Sequence, residues 1–142
     1  MQLIDKIKQA RENNNIDSLF ELIPYTKMLN MSSINMGKEL VFVLAENKDN
    51  IGNPVLPALH GGAIGGFMEN CAVFHILGHI DTSRIPKTID FSIDYLSVGR
   101  LKNTYATCEV VRQGKKVINV DIIAWQEHRN NPIARARAHL LL

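Results

Sequence analysis

Cysteine is scarce in this chain, and its placement excludes two architectures at once. Cys71 and Cys108 stand far apart, with neither a CxxC spacing nor the density of a disulfide framework. They read as buried, reduced thiols in a cytoplasmic protein. A dominant charge is also absent: 16 basic and 14 acidic side chains are mixed along the chain for a net +2, so no field of one sign favours a nucleic-acid partner. The first fifteen residues, MQLIDKIKQARENNN, are charged from Asp5 onward and lack the apolar run and small-residue cleavage site of a signal peptide. The most apolar stretch, Gly61 to Ile80, carries Glu69, Asn70, His75 and His79 and four glycines in its first six residues, which suits a buried helix better than a membrane span. No internal repeat, low-complexity segment, P-loop, GxSxG or GxGxxG is present, so NTPase, serine-hydrolase and Rossmann readings fall away.

What is present is enough apolar residue, 46% of 142, to build a core without staples. We read residues 1–142 as a single domain with 1–30 as an N-terminal helical extension. Leu3, Ile4, Ile7 and Ala10, then Ile16, Leu19, Phe20 and Ile23, predict two short helices ending at Pro24. After a loop, Glu39 to Glu46 is apolar on both faces and predicts a strand buried on both sides. Gly61 to Leu77 predicts a helix that is apolar almost all round. Strands follow at Thr88–Leu96, Thr104–Arg112, Val117–Gln126 and Ile133–Leu142. The fold class is therefore α+β, one central helix with an antiparallel sheet.

Pairing Val110 with Ile118 puts Ala106, Cys108 and Val110 on the same core face as Ile118, Val120, Ile122 and Ala124, and leaves Gln113 to Lys115 as a three-residue loop. It also sets Glu109 beside Asn119 and Thr107 beside Asp121. Arg135, Arg137 and His139 then line the outer face, solvated or paired with residues such as Asp121.

The chemistry concentrates in Asn53 to Cys71, NPVLPALHGGAIGGFMENC. Gly61 and Gly62 open a buried helix whose first N–H groups lack intrahelical acceptors and point outward with the positive end of the helix dipole. That is an anion or oxyanion site. Glu69 lies two turns on and leans over Gly65 and Gly66. A lone carboxylate in an apolar helix needs either an ion pair, with Arg84 or Arg100 as candidates, or a solvent-reaching cleft in which it does chemistry. Cys71 and His75, at a spacing of four, lack a third orienting residue, so buried packing is the better reading. His75 and His79 share a metal-ligand spacing, yet the Glu of HExxH is missing, and no metal is expected.

The segments LHGGAIGGFMENCA, IDFSIDYLSVGRL and VVRQGKKVINVDIIAW resemble the phenylacetic-acid-type (PaaI-like) thioesterases of the hotdog superfamily over roughly Asn53 to Leu142. The combination of HGG, a carboxylate nine residues after the histidine and a downstream YL(S/R)xxR-like segment carries the resemblance. It implies a hotdog fold, an antiparallel sheet wrapped around a long central helix, assembled as a homodimer or dimer of dimers with active sites between subunits. It also implies hydrolysis of an acyl-coenzyme A, with no cofactor, since coenzyme A is part of the substrate.

By position, Gly61 matches the residue whose N–H binds the thioester carbonyl. Glu69 matches the acidic residue from the facing subunit, acting as general base or nucleophile. Thr88 matches a hydroxyl position that holds the water or the carboxylate, and His60 matches a mainly structural histidine. Asn53 matches an amide side chain, although one extra residue separates it from His60 and Pro57 replaces the usual glycine. The Asp and His, five residues apart, that mark many hydratases of this fold are absent.

Arg84, Lys87, Arg100 and Lys102, flanking the strand Thr88–Leu96, are the expected contacts for coenzyme A phosphates. Gly61 and Glu69, roughly 12 Å apart by helical rise, are too far apart for one thioester to meet both within one chain. That spacing is the physical reason to expect two subunits per site. A non-catalytic acyl-CoA-binding module is the alternative from a different class, because fold does not fix function.

Overall fold

The computed structural model describes residues 1–142. Helix α1 (Leu3–Glu12) is followed by a 3-10 segment (Ile16–Leu22) and the short helix α2 (Pro24–Met28). The second predicted helix is thus divided. Pro24 opens α2 instead of ending a helix, and Ile23 is extended, as the residue before proline prefers. Strands β1 (Met31–Met36) and β2 (Glu39–Leu44) form a hairpin through Gly37, whose φ of 66° suits glycine. β1 has no counterpart among the predicted strands: its sequence MSSINM has no apolar alternation, and only Met31 is buried.

Short β3 (Ile51–Asn53) and β4 (Ala58–Leu59) precede the central helix α3 (Gly61–His79). Four longer strands follow: β5 (Lys87–Tyr95), β6 (Thr104–Gln113), β7 (Val117–Trp125) and β8 (Ala134–Leu141). The main sheet runs β1-β2-β6-β7-β8-β5, with every neighbouring pair antiparallel. Its inner face wraps α3, so the chain has the hotdog fold: an α+β layer of sheet around one long helix.

The core explains why α3 has no polar stripe. Phe67, Met68, Cys71, Phe74 and Leu77 share one cluster with Ala106, Ile118, Val120, Ile122, Ala138 and Leu140 of the sheet. The N-terminal extension joins the same cluster with Ile7, Ala10, Ile16, Leu19 and Phe20, and Phe20 meets Phe74 edge-on at 4.7 Å. β2 is buried from Leu40 through Leu44, which accounts for its double-faced apolarity.

The β6–β7 register is a correction. Val110 pairs with Val120, Glu109 with Asp121 and Thr107 with Ile123, two residues from the expected alignment. A bulge between Val110 and Arg112 absorbs one residue, and the three-residue loop moves to Gly114 to Lys116, where Gly114 N–H donates to the Val117 carbonyl at 2.8 Å. The two-residue offset preserves alternation, so both apolar faces still turn inward. On the outer face Arg137 lies 3.5 Å from Asp121, and Arg135 stands opposite Asp94.

Candidate active site

The N-terminus of α3 is built by three close approaches. Leu59 N–H donates to the Gly99 carbonyl at 2.9 Å and His60 N–H to the Asn50 carbonyl at 2.8 Å. The β3 backbone passes so near His60 that a Cβ on Gly52 would lie 2.7 Å from its Cα, which makes glycine obligatory there. His60 is the N-cap, and its Nδ1 accepts the Gly62 N–H at 2.9 Å. The Gly62 donor is therefore occupied. The Gly61 N–H has no acceptor in the chain, whereas the Gly61 carbonyl accepts from the Tyr95 hydroxyl at 2.7 Å.

Gly61, Gly62, Gly65, Gly66 and Glu69 fall within an arc of about 140° at 100° per residue, with Glu69 midway between the Gly65 and Gly66 directions. Aromatic side chains flank this face. A Cβ on Gly61 would come within 3.0 Å of the Tyr95 hydroxyl, and one on Gly65 would reach Tyr95 at 3.7 Å and Phe91 at 4.0 Å. On the opposite side a Cβ on Gly66 would lie 2.7 Å from the Tyr25 hydroxyl. Glu69 is half-buried and makes no ion pair or hydrogen bond within the chain. Neither Arg84 nor Arg100 reaches it. Its neighbour Asn70 instead turns back to donate to the Gly66 carbonyl at 2.8 Å.

Thr88 reaches the helix-facing side of β5 through a bulge. The β5–β8 register shifts between Thr88 and Asp90, so Thr88 pairs with core-facing Leu140 while Phe91, Ile93 and Tyr95 pair with Ala138, Ala136 and Ala134. Without the extra residue Thr88 would share the outward face of Asp90. Its hydroxyl makes no hydrogen bond within the chain, and the residue is half-buried.

Asn53 acts on its own loop. Its Oδ1 accepts the N–H groups of Val55 at 3.0 Å and Leu56 at 3.3 Å, an Asx turn that shapes the approach to α3. The basic candidates do not gather in one chain. Arg84 and Lys87 are exposed, without carboxylate partners, at the start of β5. Arg100 and Lys102 lie beyond its other end, roughly 25 Å away along the strand. Arg100 Nη1 donates to the Leu56 carbonyl at 3.4 Å, and Lys102 is paired with Glu127.

The other reactive residues belong to packing. Burial pushes both the Cys71 and Cys108 thiols up. The rings of His75 and His79 stack at 4.2 Å, and burial, then the nearby His79, lowers His75 from 6.5 to about 4. No three His, Cys, Asp or Glu side chains converge as a metal site.

Tyr95 and Tyr25 are the site residues that sequence reasoning missed. The alternation Phe91, Ile93, Tyr95 was a usable signal for the first. Tyr25 had none, since its partner Gly66 is remote in sequence.

A family model described as the thioesterase superfamily matches residues 56–133. Among solved structures, a Chromobacterium violaceum protein is 39% identical, with 97% of this chain and 96% of that chain covered and a TM-score of 0.79. A Staphylococcus aureus thioesterase, solved as a mutant, is 19% identical, with 83% and 97% covered and a TM-score of 0.72. The Escherichia coli PaaI protein of the phenylacetic acid degradation operon is 18% identical, with 94% and 99% covered and a TM-score of 0.73. No curated protein matches the chain. No helix is long and apolar enough to cross a membrane.

Proposed function

The chain belongs to the thioesterase superfamily, and on that footing we propose that it hydrolyses an acyl-coenzyme A to the free acid and coenzyme A. The carrying observation is the Glu69 carboxylate: half-buried, unpaired within the chain, and set on a glycine-rich helix face that begins at the free Gly61 N–H. A structural carboxylate in that setting would have a cation beside it.

In the proposed reaction a water lies between Glu69 and the thioester. Glu69 takes its proton as the oxygen adds to the carbonyl carbon, and the Gly61 N–H stabilises the resulting oxyanion. Collapse breaks the C–S bond, and the proton held by Glu69 passes to the leaving thiolate. In the covalent variant Glu69 itself attacks, expels the thiolate and forms an anhydride that water then hydrolyses. Thr88, facing the helix with a free hydroxyl, holds the water or the carboxylate.

Because Gly61 and Glu69 are about 12 Å apart by helical rise, each site takes Gly61 from one chain and Glu69 from a second, making the protein a homodimer or dimer of dimers. In that assembly the uncompensated Arg84 and Lys87 serve the coenzyme A phosphates, with Arg100 and Lys102 as secondary contacts. The two free cysteines suit action in the cytoplasm.

The test is release of free thiol from a panel of acyl-coenzyme A thioesters. The operon of the E. coli PaaI protein makes phenylacetyl-coenzyme A an early member of that panel. Saturable turnover of any member supports the proposal. Tight binding of the panel with no release would replace it with a non-catalytic acyl-CoA-binding module.

A further inference from the structure

Tyr25 is held in place more firmly than its own burial requires. Pro24 fixes the first residue of α2, and fully buried Thr26 shares its hydroxyl proton between the carbonyls of Phe20 at 2.5 Å and Ile23 at 2.7 Å. Leu29 and Phe20 anchor the flanking chain in the core. Yet Tyr25 is 39% exposed, and its hydroxyl makes no hydrogen bond within the chain. A rigid mount thus presents a large, half-solvated ring against the bare backbone of Gly66, one helical turn before Glu69. Such a ring adds little to the core; it covers the glycine face at Gly66, beside Glu69. Tyr95, on the other side of the glycine face, is engaged with the Gly61 carbonyl and forms the opposite wall.

We propose that Tyr25 is a specificity-determining residue, closing the acyl groove on the side of the N-terminal extension and restricting the acyl group to short or compact members. This rests on the thioesterase reading of the Glu69 face. It also gives the N-terminal extension a role beyond covering α3: its helices hold a substrate-selecting wall.

The experiment compares wild type, Tyr25→Phe, Tyr25→Leu and Tyr25→Ala across acyl groups from acetyl to dodecanoyl. Two readouts are taken: Kd for non-hydrolysable acyl-coenzyme A thioethers and kcat/KM for the thioesters. Tyr25→Ala is expected to raise the dodecanoyl-to-butanoyl preference at least about tenfold, with Tyr25→Leu between and Tyr25→Phe near wild type, the scale that pocket shape confers on alkyl groups. Uniform change across the series, or a Tyr25→Phe profile matching Tyr25→Ala, would overturn the wall. If wild type releases no thiol from any thioester, the hydrolysis reading fails while the Kd profile still judges Tyr25. If no thioether binds any of the proteins, both fall.

Discussion

Tyr95 donates its phenolic hydrogen to the main-chain oxygen of Gly61 at 2.7 Å, tying the end of β5 to the first turn of α3. The bond restrains the Gly61–Gly62 peptide, adjacent to the one carrying the free Gly61 N–H, so the orientation of that donor depends on a residue 34 positions away. Tyr95→Phe keeps the ring and removes the bond. We expect kcat toward a good acyl-coenzyme A to fall by about two- to tenfold, the rate equivalent of one ordinary hydrogen bond, with little change in KM. Tyr95 is 53% exposed, so melting temperature should scarcely move. An unchanged kcat would remove Tyr95 from the positioning of the donor.

Glu69→Gln separates chemistry from structure. The amide fills the same space but neither accepts a proton from water nor attacks a carbonyl, so kcat should fall at least ~100-fold. Because Glu69 has no cationic partner in the chain, stability should stay within about 1 kcal/mol of wild type. Thermal melts run beside the assay decide between roles: strong destabilisation would reveal an ion pair formed across the subunit interface, and near-normal turnover would exclude Glu69 from the reaction.

Sequence reasoning reached the central helix from its long, almost continuous apolar run, and the four strands after it and the inward faces of β6 to β8 from local apolar alternation. It missed β1, which is polar and becomes a strand only by pairing with β2, and it misaligned β6 with β7 because a bulge leaves no mark in the alternation of side chains. The same limit affects the site. Glu69 and Gly61 were legible as a charged residue and a glycine pair in an apolar helix, and Thr88 through family resemblance. The bulge that turns Thr88 inward, and the contacts of Tyr95 with Gly61 and Tyr25 with Gly66, depend on distant segments meeting. The four basic residues looked like one patch because they bracket one strand, but the length of that strand separates them.

His75 makes acid stability a measurable property of α3. Burial and then His79 lower it from 6.5 to about 4, and its Nδ1 is buried without a partner. Between those values the unfolded chain binds a proton that the folded chain does not, so stability should decline as pH falls from 6.5 to about 4 and this contribution should level off below. The loss is at most about 3 kcal/mol. Denaturant melts of wild type and His75→Gln, near neutrality and near pH 4, should show the variant losing less on acidification. Identical acid losses would mean His75 titrates freely.

The shared site is open to a subunit-mixing test. Gly61→Pro deletes the proposed oxyanion donor at a first-turn position where proline is favoured, after a His60 already extended at φ −65° and ψ 131°. The new Cβ would lie 3.0 Å from the Tyr95 hydroxyl, which must yield by a few tenths of an ångström. Alone, Gly61→Pro should lose about 100-fold or more in kcat, the cost of one oxyanion donor. Glu69→Gln alone should be comparably poor. When the two variants are dissociated, mixed in equal amounts and reassociated, half the dimers pair one variant chain with the other. In each such dimer one site receives Gly61 from the Glu69→Gln chain and Glu69 from the Gly61→Pro chain, and the second site receives both lesions. Activity should recover to about a quarter of wild type, as expected for two-fold symmetric sites built across an isologous interface. A mixture no more active than the sum of its parts, with subunit exchange verified by mass labelling, would mean that no site joins Gly61 of one chain to Glu69 of another and would overturn the shared-site mechanism.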